Sequence, residues 1–255
     1  MVSKTSETPG AQNMRRSLLV LRVLGRHQEE GISVTDVIAQ TQLERSTAHR
    51  LLTCLVEERF AERDPLTRRY RLGIDAMQMG LASLRRAPLV ASYQPLMQRL
   101  ARTSGDTVYL LVRQGDYTIC LHREDGPYPV KVFSTRVGDA RVLGVGVGGM
   151  AILAGLADED VQRIHAQHQA AFDAAGLGDA AFRRTIARTR RSGCAEMLDT
   201  VTPGVGGVGM AIANAEGAPF AAISIASIQP RMQAPRRAEL AALLARELSA
   251  GSGGC

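Results

Sequence analysis

The stretch LERSTAHRLLTCL, residues 43–55, decides how this chain is read. Ala48, Leu51, Leu52 and Leu55, with Val56 just beyond, recur at i, i+3, i+4, i+7 and i+8, which is one buried stripe of a helix. Ser46, His49, Arg50 and Thr53 recur on the opposite face. Solvated helix faces usually carry Glu and Lys. This one carries hydroxyls, an imidazole and a guanidinium, with Arg45 beside them and Glu44 before them. Such groups suit an anionic partner rich in hydrogen-bonding edges.

The flanking segments fit that reading. SLLVLRVLGRHQEEG (17–31) predicts a helix that buries Val20, Val23 and Leu24 and ends near Gly31. SVTDVIAQT (33–41) predicts a second helix of barely two turns, with Ser33 as N-cap and Asp36 three residues on. A tight turn then leads into the two-faced helix. FAERDPLTRRYRLG (60–73) predicts a hairpin turning at Asp64-Pro65, with Thr67, Arg68 and Arg69 at its tip. Short helix, turn, polar-faced helix and basic hairpin make a winged helix-turn-helix. Arg bonds guanine edges, and hydroxyls and His49 bond bases or phosphates. The expected DNA contacts are Ser33, Arg45, Ser46, Thr47, His49, Arg50, Thr53, Thr67, Arg68 and Arg69. One such module reads too little DNA for useful specificity, so a homodimer on a palindromic double-stranded operator is expected, with pairing into tetramers left open.

IDAMQMGLASL (74–84) predicts a connecting helix whose face of Ile74, Met77, Leu81 and Leu84 is a candidate dimer contact. RRAP (85–88) marks a boundary. Beyond it come a helix through Leu89–Leu100, strands at 107–113 and 117–123, and a third strand at 130–136. A glycine run precedes a helix at 149–157, and a polar, Arg-rich helical region spans 158–192. Residues 207–227 form a hairpin about Asn-Ala-Glu-Gly, and a helix covers 235–250. Strands bracketed by helices indicate an α+β domain.

Composition sets the limits. The 255 residues suffice for two domains with real cores, and 45% hydrophobic with 22% charged residues are globular values. A net charge of +6 permits a polyanionic partner. No uninterrupted apolar run approaches the roughly 18 residues of a membrane span. MVSKTSETPGAQNMRR has no apolar signal core, so a cytoplasmic, nucleoid-associated chain without a membrane partner is expected. Cys54, Cys120, Cys194 and Cys255 lack CxxC spacing and read as free thiols.

In chain order, SVTDVIA (33–39), LERSTAHRLL (43–52), LVEERF (55–60), Asp64-Pro65 and YRLG (70–73) resemble the IclR family of bacterial transcription regulators. RVLGVGVGGMAILA (141–154), SGCA (192–195), PGVGGVG (203–209) and PFAAISIAS (219–227) resemble its effector domain. The resemblance implies an α+β chain: an N-terminal winged helix-turn-helix, a linker helix, and a GAF-like effector-binding domain with a mostly antiparallel sheet. It implies a ligand-responsive regulator, not an enzyme, with no cofactor. It also implies an effector site at Val147, Gly148, Met197, Gly207, Ser224 and Ala226. Several family members carry polar groups at the third, fourth and sixth of these. Their replacement here by Met, Gly and Ala favours a less polar ligand, an aromatic or aliphatic carboxylate. The family often has Gly where Arg59 stands. The expected boundaries are a disordered arm 1–13, a reader 14–73, a linker 74–87, an effector domain 88–250 and a flexible tail 251–255.

Other chemistries have thinner support. Gly144, Gly146 and Gly149 match GxGxxG, the loop of a nucleotide-cofactor enzyme, but Gly204, Gly206 and Gly209 match it too. Two matches among 25 glycines make the pattern cheap, and Asp158, Glu159 and Asp160 come too early for a ribose-binding acid about 20 residues on. Cys120 with His122, and His165 with His168, each offer two metal ligands where three or four are needed. His165 and His168 read as helix-surface residues, and Asp199 and Glu196 as surface charges. Ser224 lacks the G-x-S-x-G elbow of a hydrolase. A head that binds protein instead of DNA is the remaining rival, and steep salt dependence would mark DNA.

Overall fold

Two short helices with one apolar side each need a third to complete a core, and α1 (Gln12–Arg26) supplies it. Val20, Val23 and Leu24 of α1 meet Val37 of α2 (Val34–Thr41) and Leu51, Leu52 and Leu55 of α3 (Arg45–Glu57) in one buried cluster. Burying a side chain such as Leu24 or Leu52 contributes about 1.5–3 kcal/mol, so the apolar stripes alone hold the unit and the polar face of α3 stays free. The α1 helix begins inside the expected arm and stops short of Gly31. His27 N–H closes the last turn on Leu24 O, and a turn follows to Gly31 at φ +69°. Gln42, at φ 55°, makes the tight turn between α2 and α3.

Strands β1 (Ala61–Arg63) and β2 (Tyr70–Leu72) pair antiparallel, and Ile32 bridges to Tyr70. The helix α4 (Ile74–Arg85) follows. Arg59, between α3 and β1, has φ 60°. That left-handed conformation favours glycine, the residue that the resemblance implies at this position. Its guanidinium lies 3.4 Å from Asp75. The structure, a computed structural model, describes residues 10–85 and 88–251 and divides into two units, 1–87 and 88–255. Most of the expected arm, the tail beyond Gly251 with Cys255, and the side chain of Leu84 lie outside the described residues.

The second unit is one six-stranded antiparallel sheet with helices on both faces. Its elements are α5 (Pro88–Ser104), β3 (Thr107–Gln114), β4 (Tyr117–Asp125), β5 (Ala140–Val142), α6 (Val147–Ala154), α7 (Asp158–Gln167), α8 (Gln169–Ala174), α9 (Asp179–Ser192), β6 (Ala195–Leu198), β7 (Val205–Ala213), β8 (Pro219–Ile228) and α10 (Ala234–Gly251). The strand order is β5-β4-β3-β8-β7-β6. Strand alternation sorts the side chains. Val108, Leu110, Ile223 and Ile225 pack with α5 and α10. Tyr109, Leu111, Ser224 and Ala226 face the other way, where α6 lies.

Two expectations are corrected. Residues 130–136 form no strand; the edge strand is β5, ten residues on. Val130 and Phe133 are exposed rather than alternating into a core, and the carbonyls of Val132 and Ser134 are taken by the side chains of Tyr109 and Arg141. β6 was not expected as a strand, and pairs with β7 from Ala195 opposite Gly209 to Leu198 opposite Gly206. Among the described residues no helix is long and apolar enough to cross a membrane.

Candidate DNA-reading face and effector pocket

The α3 helix presents Arg45, Ser46, His49, Arg50 and Thr53 to solvent, with Thr47 half-buried. Among the described residues none of these six side chains has a hydrogen-bond or ion-pair partner. The face is therefore open for a ligand, and the positive end of the α3 dipole lies at Arg45. The remaining expected contacts differ. Ser33 is half-buried and engaged: its hydroxyl accepts from Asp36 N–H at 3.2 Å and donates to Asp36 Oδ2 at 2.7 Å. Arg69 Nη1 donates to Gly31 O at 3.0 Å, bracing the wing on the loop before α2. At the tip, Asp64 Oδ1 accepts N–H bonds from Leu66 and Thr67 at 2.9 and 2.8 Å. Those bonds, the Thr67 one foremost, hold the Asp64 carboxyl below its ordinary pKa. Arg68, at φ 60°, has no side-chain partner among the described residues.

In the second unit Val147, Gly148, Met197, Gly207, Ser224 and Ala226 all line one pocket between α6 and the sheet. Glycine makes this geometry possible. A Cβ on Gly148 would lie 2.4 Å from Leu111 Cδ1, and one on Gly209 would lie 2.7 Å from Val147 Cγ1. With a larger residue at either position, Leu111 or Val147 would have to shift for α6 to lie this close to the sheet. Gly146, at φ 100°, caps α6 without a side-chain bond, and Gly146, Val147, Gly148 and Gly149 line the pocket, so the first turn of α6 borders it. Leu111, Val145, Val201 and Val205 add apolar wall, and Thr118, Ser134, Thr135, Thr200 and Thr202 add hydroxyls. Tyr109, its hydroxyl pushed up to about 12 by burial, stays a neutral donor to Val132 O.

The pocket's cation is Arg141, which resemblance did not indicate. It stands on β5 opposite Thr118 of β4. One guanidinium nitrogen donates to Ser134 O, whereas Nε is buried without a hydrogen-bond partner. A buried orphan N–H is costly, and on a guanidinium it asks for an anion. The cavity volume is about 70 Å³.

The other constellations resolve structurally. Gly144, Gly146 and Gly149 lead into α6, but Gly206 and Gly209 lie within β7, so the second match is no loop. His165 and His168 are half-buried, not surface residues: His165 stacks on Phe182 at 3.9 Å, and His168 lies 3.5 Å from Asp116. Arg163 binds Asp116 with two bonds of 2.9 and 3.0 Å, which above all lowers the Asp116 pKa. Glu196 pairs with Arg237 at 2.8 Å, and Asp199 orders a turn by accepting Gly204 N–H at 2.7 Å. Among the described residues no three His, Cys, Asp or Glu cluster as a metal site would.

A polar helix face without internal partners in a helix-turn-helix, joined to a sheet domain with a largely apolar pocket, defines a DNA-binding regulator with a sensor. Residues 14–65 match the IclR helix-turn-helix domain and residues 81–250 the bacterial transcriptional regulator IclR C-terminal domain. The chain belongs to the IclR family of transcriptional regulators. It is similar to the HTH-type transcriptional regulator BhcR of Paracoccus denitrificans, 27% identical over 96% of this chain and 88% of that one. The fold is that of an IclR-family regulator from Brucella abortus, with TM-score 0.81 at 18% identity over 95% of this chain and 92% of that one. It is also that of an IclR homologue from Microbacterium hydrocarbonoxydans complexed with 4-hydroxybenzoate, with TM-score 0.65 at 21% identity over 93% and 99%. These relatives are regulators, which sets aside the cofactor-enzyme alternative.

Proposed function

We propose that this chain binds a palindromic operator as a dimer and responds to a small carboxylate with an apolar body. The single observation that carries the ligand class is the buried, unpartnered Nε of Arg141 in an otherwise largely apolar pocket. The carboxylate docks between Arg141 and the α6 N-terminus, and its body lies against Leu111, Val147, Met197 and Val205. The hydroxyl of Ser224 and the small residues Gly148, Gly207 and Ala226 shape the rest. The cavity is smaller than the roughly 150 Å³ that accepts benzene, so a chain or ring of six carbons needs a wall to give. The aromatic arm has the 4-hydroxybenzoate complex of the Microbacterium homologue in its favour.

The DNA contacts are Arg45, Ser46, Thr47, His49, Arg50 and Thr53 on α3, with Thr67, Arg68 and Arg69 on the wing and Ser33 at the α2 cap. The dimer contact is the face of α4 that leaves Ile74, Met77 and Leu81 exposed. The protein works in the cytoplasm on the nucleoid. A ligand shifts DNA affinity only by binding the two states unequally; a typical coupling of about 1–3 kcal/mol is a roughly 5–150-fold change. A thermal-shift screen of small carboxylic acids, followed by footprinting upstream of the chain's own gene with and without each hit, tests the reading. Stabilising acids that leave operator protection unchanged at every concentration would refute the regulatory link.

A further inference from the structure

The wing tip carries a side chain that neither the core nor phosphate binding explains. Leu66 is 91% exposed, more than any other large hydrophobic among the described residues. It is also rigidly presented. Pro65 precedes it, Asp64 Oδ1 accepts its N–H, and Asp64 N–H and O bond Arg69 O and Arg68 N–H, each at 2.9 Å. Arg71 lies 3.5 Å from Asp64, and Arg69 is tied to Gly31 O. The tip therefore pays little ordering entropy on contact. Two residues on stands Arg68, exposed and with no side-chain partner among the described residues. Minor-groove proteins combine cationic side chains that read the groove with apolar wedges that part a base step, and the wing tip carries one of each. With α3 in a major groove, the neighbouring groove is the minor one.

We infer that Leu66 is a wedge that enters the minor groove beside the α3 site, so that the operator position under the wing is selected by deformability. The favoured steps are those that unstack easily, TA and CA/TG. This inference rests on the operator-binding reading above. It commits the tip to DNA; a second copy of the chain is the competing occupant.

The test uses the full chain, wild type and Leu66→Ala, on an operator recovered by selection from random duplexes and mapped by hydroxyl-radical footprinting. The step under the wing is set to TA or to GC. Wild type should favour TA by roughly tenfold, the cost of one poor position. Leu66→Ala should lose that preference and bend the duplex less in a circular-permutation gel. A 2-aminopurine beside the step should brighten with wild type only. Leu66 lies outside the core, so the variant's melting curve should match wild type. If Leu66→Ala keeps both the preference and the bend, the wedge is overturned. If instead it changes the sedimentation of DNA-free protein and leaves the step preference intact, Leu66 belongs to a contact between copies and the wedge is again overturned. A wild type that binds no duplex fails the operator reading itself, which is a separate outcome.

Discussion

Arg141→Gln tests the sensor most directly, because it removes one charge and little volume. In the free protein Arg141 donates to Ser134 O and keeps Nε buried and unpaired. A bound carboxylate satisfies Nε with a charge-assisted hydrogen bond worth about 1.5–3 kcal/mol, or roughly 10–150-fold in Kd. The α6 N-terminus survives the substitution and retains a smaller attraction, about 0.3–1 kcal/mol, so residual binding should persist. Folding should change little. The variant leaves Ser134 O short of one donor but also removes an orphan N–H, and the two effects oppose. The assay is titration calorimetry with hexanoate and benzoate and with their neutral amides. Wild type should favour each acid over its amide, and Arg141→Gln should bind acid and amide alike. Equal affinity of variant and wild type for hexanoate, or a wild type that holds the amide as tightly as the acid, refutes the argument.

Arg50→Ala should cost about 1–3 kcal/mol of specific operator binding, read by titration at matched salt against a scrambled duplex. Met77→Glu, which places a charge on the exposed apolar face of α4, should shift light scattering from dimer to monomer and weaken operator binding with it. Asp106→Ala should cost about 1.5–3 kcal/mol, seen in the melt of the second unit: the carboxylate is wholly buried and takes bonds from Ser227 at 2.7 Å and Arg231 at 2.9 Å, and its loss strips Arg231 of its carboxylate partner while Arg236 keeps Glu239 at 3.5 Å. Burial pushes the Cys120 and Cys194 thiols up to about 11, so at pH 8 about one in a thousand is thiolate. Peptide mapping after brief alkylation should find Cys54, which is exposed, modified well before either.

What the residue order determined by itself was everything local. The two faces of α3, the Ser33 cap of α2 and the hairpins at 61–72 and 205–228 follow from periods of 3.6 and 2, which depend only on near neighbours. Resemblance added the six pocket positions on α6, β6, β7 and β8. What only the tertiary structure decided involves partners far apart in the chain. Val130 and Val132 alternate like strand residues, yet the segment is held by side chains of Tyr109 and Arg141 instead of a ladder. Arg69 looks like a free wing cation until Gly31, 38 residues away, takes one of its donors. Arg141 has no local mark at all. It becomes the pocket's cation because a three-residue edge strand pairs with β4 and carries it into the wall of the pocket that α6 also lines, where burial leaves one N–H without an acceptor.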